Sequence, residues 1–387
     1  MIDQGELSYA EALAHFDRAL DGFSRALGPH APETLHVQAQ RAMTLIALEN
    51  KEPLPTILEE LREHLPSITP SIDRPLAESW GAVAIAADDH GAPRDALMLF
   101  DAVLDALGEG GDRALLATTL LHRATVQRHT GDLRGSIASR RRCLALRREA
   151  FGDDNARVAE ARLGLARDLL ADKALQAEGL GEARMAVATL KRLGLDRRPQ
   201  HSTAWATLGL ALLTVQNDLV GASEHFEKAA EIEEKTFGAA HRSTARMLSM
   251  TATAHAMRGN QGKAAALLAR ALPALEKGDE AEHYEAANRF VTALTATGRH
   301  RVCADWARKK LAEMRAPRRA SAVAVYEWAI AQALLLDGKV PEAVPHLTRS
   351  RAAAAEYHGE DSEAVRGLDH SLSMLAQGAR PVPRRIS

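Results

Sequence analysis

The feature that most constrains this chain is a recurring helix stop. Gly or Asn falls between paired helical patterns at Asn50, Gly91, Gly131, Asn217, Gly259, Gly298 and Gly338. Neighbouring members lie 39 to 42 residues apart, except for one gap of 86. That gap holds a further unit, whose turn falls in the irregular stretch 172–179. A second series separates the pairs, at Gly28, Gly108, Gly152, Gly194, Gly238, Gly278 and Gly359. Its spacing is 40 to 44, with two gaps of about twice that length. Glycine ends helices because it adopts the left-handed conformation without a Cβ penalty. Two interleaved series with one period define a helical hairpin of about 40 residues as the building block. A single hairpin cannot cover its own apolar face, so the units must stack.

Small residues mark where the helices approach. Seven before the turn glycine stand Ala84, Ala124, Ala252 and Ala331. Five after it stand Ala96, Ser136, Ala264, Cys303 and Ala343, and twelve after it Val103, Cys143, Ala229, Ala271 and Ser350. Small side chains at fixed register let helix axes pack at the short end of the usual ~8–10 Å range. Both cysteines occupy such positions, which reads them as small packing hydrophobes. They stand too far apart for a zinc or disulfide framework.

This pattern resembles the tetratricopeptide repeat. The long period, with the stretches Leu27-Gly28-Pro29-His30-Ala31-Pro32-Glu33-Thr34-Leu35 and Phe237-Gly238-Ala239-Ala240-His241-Arg242-Ser243-Thr244, is similar to the longer subclass found in kinesin light chains and bacterial signalling proteins. The asparagines common on that subclass's first helices are mostly replaced here, by His122, Gly164, Met250, Arg289 and Ala329. The resemblance implies an all-α α-solenoid, a right-handed superhelix of stacked antiparallel helical hairpins. Residues 1–30 read as an orphan second helix of a truncated first repeat. Residues 31–361 read as tandem repeats, 362–377 as a C-terminal capping helix and 378–387 as a disordered tail.

The family's binding groove is lined by first helices. The same register carries those positions onto His122, Thr125, Arg128, His129, Arg167, Thr207, Ser249, Met250, Thr253, Asn288, Arg289, Thr292, Trp328 and Gln332. Hydroxyls, amides and guanidinium groups of this kind hold an extended peptide by its backbone and carboxylates. The family's Lys and Asn carboxylate clamp has no match. The run Arg140-Arg141-Arg142 with Arg147-Arg148 lies on a second helix and reads as a solvated convex face, the alternative being a dock for an acidic partner or phosphates.

Composition narrows the function classes. Formal net charge is -2 with a pI near 6.8, and aromatics are only 4%, so neither a basic field nor stacking platforms favour nucleic acid. No apolar run approaches the ~20 residues of a membrane span, and the polar N-terminus lacks a secretory core. No His-Glu-x-x-His, phosphate loop or nucleophile elbow occurs, so the sixteen histidines read as surface or groove residues and no cofactor, metal or catalytic group is expected. The expected protein is a non-enzymatic cytoplasmic scaffold that binds a protein or peptide, an acidic one suiting its cations. The alternative is a C-terminal sensory or autoregulatory region of a larger bacterial signalling protein, such as a serine/threonine kinase or winged-helix regulator. The uncovered face of the first helix predicts self-association.

Overall fold

The structure is a computed structural model that describes residues 9–29, 31–47, 59, 74–89, 91–108, 110–315 and 319–378. Among these it contains seventeen α-helices and one short 3-10 turn. The chain divides into two compact units, Met1–Gly194 and Leu195–Ser387.

In the first unit the helices are α1 (Tyr9–Leu27), α2 (Pro32–Ala47), α3 (Arg74–Asp89), α4 (Pro93–Leu107), α5 (Arg113–His129), α6 (Leu133–Phe151), α7 (Ala156–Ala171) and α8 (Gln176–Arg192). Helices α3/α4, α5/α6 and α7/α8 are antiparallel hairpins; α4 packs on α5, and α6 on α7. The second unit continues with α9 (Ser202–Gln216), α10 (Leu219–Phe237), α11 (Arg242–Met257), α12 (Gln261–Leu275), α13 (Glu280–Ala296), α14 (His300–Glu313), α15 (Ala320–Leu336), α16 (Val340–His358) and α17 (Glu363–Ala376). It stacks hairpins α9/α10, α11/α12, α13/α14 and α15/α16, with α17 packed on α16. Most of residues 48–73 and the tail 379–387 lie outside the described residues.

The glycine stops behave as their chemistry requires. Gly28, Gly91, Gly108, Gly131, Gly152, Gly194, Gly238, Gly259, Gly298, Gly338 and Gly359 all have positive φ, and Asn217 takes the left-handed conformation at 51° in place of a glycine. Gly278 is the exception among the stops; α12 has already ended at Leu275 and the following turn needs no left-handed residue. A threonine six residues after a stop secures the joint between units. Thr34 donates to the Gly28 carbonyl at 2.8 Å, and Thr244 donates to the Gly238 carbonyl at 2.9 Å. That bond gives the two long motif stretches their shared Gly-to-Thr spacing. Helix starts are set by side-chain caps at Asp112, Asp132, Asn155, Asp218, Asp279 and Ser362, each accepting from a free amide of the first turn.

Every small residue named above is buried, from Ala84 and Ala96 to Ser350, and both cysteines are 1% exposed. Burial pushes the Cys303 thiol up to about 12 and raises the Cys143 thiol as well, though Arg147 and Arg140 pull the latter down. Neither is the exposed, lowered-pKa thiolate that redox chemistry needs. One apolar core runs from Ala230 to Leu368 through the second unit. In the first unit two clusters, Leu35–Val126 and Ala117–Leu169, interlock at α5. Helix α1 packs on α2, with Arg41 on Asp17 at 2.5 Å, yet Ala12 is its one buried side chain among the described residues. Phe23 and Leu27 stay exposed.

Candidate binding face on the first helices

The register brings five of the expected residues together on α5 and α7. Thr125 is half-buried and donates to the Leu121 carbonyl, so its hydroxyl is already engaged within α5. His122, one turn earlier, stacks on Phe100 with ring centroids 6.3 Å apart and 11° between planes. Burial holds its imidazole below the usual range, and the charge of Arg147 adds to that. His129 Nδ1 lies 3.0 Å from Asp88 of α3. Arg128 crosses from α5 to α7 and donates to Asp168 Oδ1 at 2.5 Å. Arg167 is exposed and makes no hydrogen bond or ion pair with a described residue.

Asp168 organises this cluster. Its side chain is fully buried, and Arg140 Nε donates to its other oxygen at 2.5 Å. The Ser136 hydroxyl stands 2.5 Å from the same oxygen and 2.7 Å from the Ala124 carbonyl. Three guanidinium groups, of Arg128, Arg140 and Arg167, thus gather around one carboxylate. A Cβ at position 164 would come within 2.5 Å of the Arg140 guanidinium, so Gly164 makes room for it. This explains why the asparagine position of the family carries glycine here.

The basic run is divided between two environments, which corrects its reading as a solvated face. Arg141, Arg142 and Arg148 are exposed, but Arg140 is 4% and Arg147 9% exposed. Both stand on the side of α6 that carries Cys143, three residues one way and four the other. The inward assignment of Cys143 already contained this information: i−3 and i+4 share a helix face. Asp168, by contrast, gave no signal beyond a lone acidic residue amid apolar neighbours.

In the second unit most of the expected positions are closed. Thr207, Ser249, Asn288, Trp328 and Gln332 are 4 to 9% exposed. The hydroxyls of Thr207, Thr253 and Thr292 donate to carbonyls one turn back at 2.7 to 2.9 Å. Gln332 accepts from Thr295, and Arg289 is paired with Glu285 at 2.7 Å. Met250, Thr253, Arg289 and Thr292 remain partly accessible. Most of the polar mixture read from sequence is therefore engaged within the protein in both units, and Arg167 of α7 is the exposed exception.

No group of His, Cys, Asp and Glu among the described residues has the arrangement of a metal site. No described helix is long and apolar enough to cross a membrane.

The fold and register define the class: tandem helical hairpins with small residues at fixed packing points. Residues 200–277 match the tetratricopeptide-repeat family profile, and the described chain has the tetratricopeptide-like fold of stacked helical hairpins. No curated protein matches it by sequence. Among solved structures it is similar to a signal transduction ATPase with numerous domains that carries a tetratricopeptide repeat sensor, from Pyrococcus horikoshii, at TM-score 0.61 and 11% identity over 94% of this chain and 54% of that one. The apo form of RapI matches at TM-score 0.54 and 13% identity, over 90% of this chain and 98% of that one. These two likenesses establish the fold. BtubC from P. vanneervenii matches at TM-score 0.46 and 16% identity, over 69% and 90%.

Proposed function

We propose that the chain is a non-enzymatic scaffold that holds an extended, acidic protein segment along the first-helix face of α5 and α7. The observation that carries this reading is the surplus of cations there: Arg128, Arg140 and Arg167 share the single carboxylate of Asp168. Arg167 is open and unpaired, and an unpaired guanidinium favours bidentate carboxylate recognition. His129 is exposed on α5 and offers a second polar group on the same pair of helices. The partly accessible Met250, Thr253, Arg289 and Thr292 would extend a second track in the other unit.

The test is selection from a displayed peptide library, followed by affinity measurement on Arg167→Glu with His129→Ala. Arg128 is left alone because it neutralises buried Asp168. Selected peptides should be rich in Asp and Glu and should lose at least ~10-fold in affinity, a change of about 1.4 kcal/mol. Enrichment of nothing, or equal binding by the folded double variant, would refute the reading.

A second reading is that the array serves as the sensory region of a larger signalling protein. It is supported by the Pyrococcus ATPase, in which a tetratricopeptide array is described as a sensor, and of which this chain covers 54%. An in-frame kinase or DNA-binding segment in the gene would support it, and a lone transcript encoding only these residues would oppose it. Self-association through the exposed Phe23 and Leu27 of α1 is open to sedimentation: a monomer at all concentrations would end that idea.

A further inference from the structure

The first unit holds a cavity of about 350 Å³ at the ends of α5, α6 and α7, with Glu78 of α3 at its edge. Its walls carry Arg113, Arg147, Arg157, Glu160 and Phe151. Two of the three arginines are occupied. Arg113 pairs with Glu149 at 3.0 Å, and the Arg157 guanidinium lies over the Phe151 ring, 5.1 Å from its centroid. The N-terminal amides of α5 are taken by Asp112, so the helix end itself offers little.

Arg147 is different. Its side chain is only 11% exposed, and it makes one hydrogen bond, from Nη1 to the Arg157 carbonyl at 2.8 Å. The nearest carboxylate oxygen, of Glu160, stands 3.9 Å away, beyond hydrogen-bond reach, on a side chain that is itself 48% exposed. A guanidinium carries five N–H donors. Buried charges are ordinarily paired and fully hydrogen-bonded, because desolvation costs several kcal/mol otherwise. Arg147 lines the cavity, and its one hydrogen bond leaves further donors of the guanidinium for a guest there.

We infer that this cavity is a carboxylate pocket in which Arg147 binds the anionic group of an acidic residue, supplied by the segment that the first-helix face holds. The inference rests on the peptide-binding reading for the source of the carboxylate, but the pocket itself does not. The pocket is distinct from the cluster around Asp168, and it is built from a second-helix arginine that no groove register would nominate. Phe151 supplies an apolar wall for the methylenes of the entering side chain. Glu160 acts as a weak internal competitor at the mouth.

The experiment is an NMR titration of the full chain, following the arginine Nε–H signals, with Arg147→Lys used to assign the relevant one. Three probes are compared: N-acetyl-glutamate amide for a side-chain carboxylate, N-acetyl-alanine for a chain terminus, and neutral N-acetyl-glutamine amide. The Arg147 signal should shift saturably with at least one carboxylate probe and not with the neutral one; the better of the two identifies the source. Arg147→Gln should weaken that binding at least ~10-fold, and Glu160→Gln should tighten it. Because Arg147→Gln also removes a structural hydrogen bond, Thr118→Glu is run beside it. Thr118 is exposed and lines the cavity, so a carboxylate there should block the probes while leaving Arg147 in place. No shift at Arg147 with either carboxylate, or equal affinity in wild type and Thr118→Glu, would overturn the inference. Arg167-dependent peptide capture without any Arg147 response would overturn the pocket and leave the groove reading standing. Arg147-dependent probe binding without peptide selection would do the reverse.

Discussion

At the scale of single residues, Asp168 is where stability depends most on charge. A carboxylate with no solvent contact is tolerated only because Arg128 and Arg140 each donate a short charged hydrogen bond to it. Removing it leaves Arg140 buried and uncompensated. Asp168→Ala is therefore expected to destabilise the protein by about 3–5 kcal/mol, the range for breaking a buried pair, with the lower end favoured because Arg128 is partly solvated. Asp337 offers the contrast. Arg301, then His300, hold its carboxyl below the usual range, yet the group lies at the surface. Asp337→Ala should fall within the small effects typical of exposed pairs. Urea denaturation of the two variants checks the difference; equal losses would show that the buried cluster is not the stabilising element. The small packing residues were legible from register, since volume at a helix crossing follows from spacing alone. Asp168 was not, because a buried charge is justified only by partners on other helices. Arg140 is 28 residues away in sequence, and its role depends on a glycine, Gly164, whose missing side chain makes the space.

At the scale of elements, the hairpins were legible because each boundary carries its own chemistry. Gly238 sits at φ 85°, and a Cβ there would meet nothing within 4 Å, so the backbone alone demands glycine. Gly278 is held in no such conformation, and a Cβ would approach only the flexible end of Arg242, at 3.0 Å. Gly238→Ala should cost about 1–3 kcal/mol, because φ 85° with ψ 165° is a conformation essentially reserved for glycine. Gly278→Ala should be neutral or slightly stabilising, since it reduces the freedom of the unfolded chain. Thermal melts of the pair test this; equal shifts would mean that the two glycines serve the same role after all. What the sequence did not disclose at this scale was where polar residues of the first helices point. Thr207, Thr253 and Thr292 share the spacing of Thr125, but spacing cannot say whether neighbouring helices close over a position. In the second unit Phe290, Tyr326 and Trp328 of α13 and α15 are buried; in the first, the Arg140 guanidinium occupies the space that Gly164 leaves.

At the scale of the whole chain, stability in stacked repeats is a sum of local terms and nearest-neighbour interfaces, so openings need not be global. The two cysteines are placed to report this, one in each unit. Cys143 lies between Arg140 and Arg147 on α6, and Cys303 sits in the core of the second unit. Burial raises both thiols, Cys303 to about 12, so neither is a thiolate near pH 8 while folded. A thiol reagent at that pH should label each only when its own hairpin opens, and labelling should become fast in denaturant. Asp168→Ala removes a contact of α6 itself. It should therefore accelerate labelling of Cys143 far more than that of Cys303, with peptide mapping by mass spectrometry assigning the sites. Equal acceleration would show that the array opens as one cooperative body and that the nearest-neighbour picture fails for it. A graded response would also bear on binding: a ligand held by Arg147 and Arg167 bridges α6 and α7, and linkage requires that it slow Cys143 labelling first.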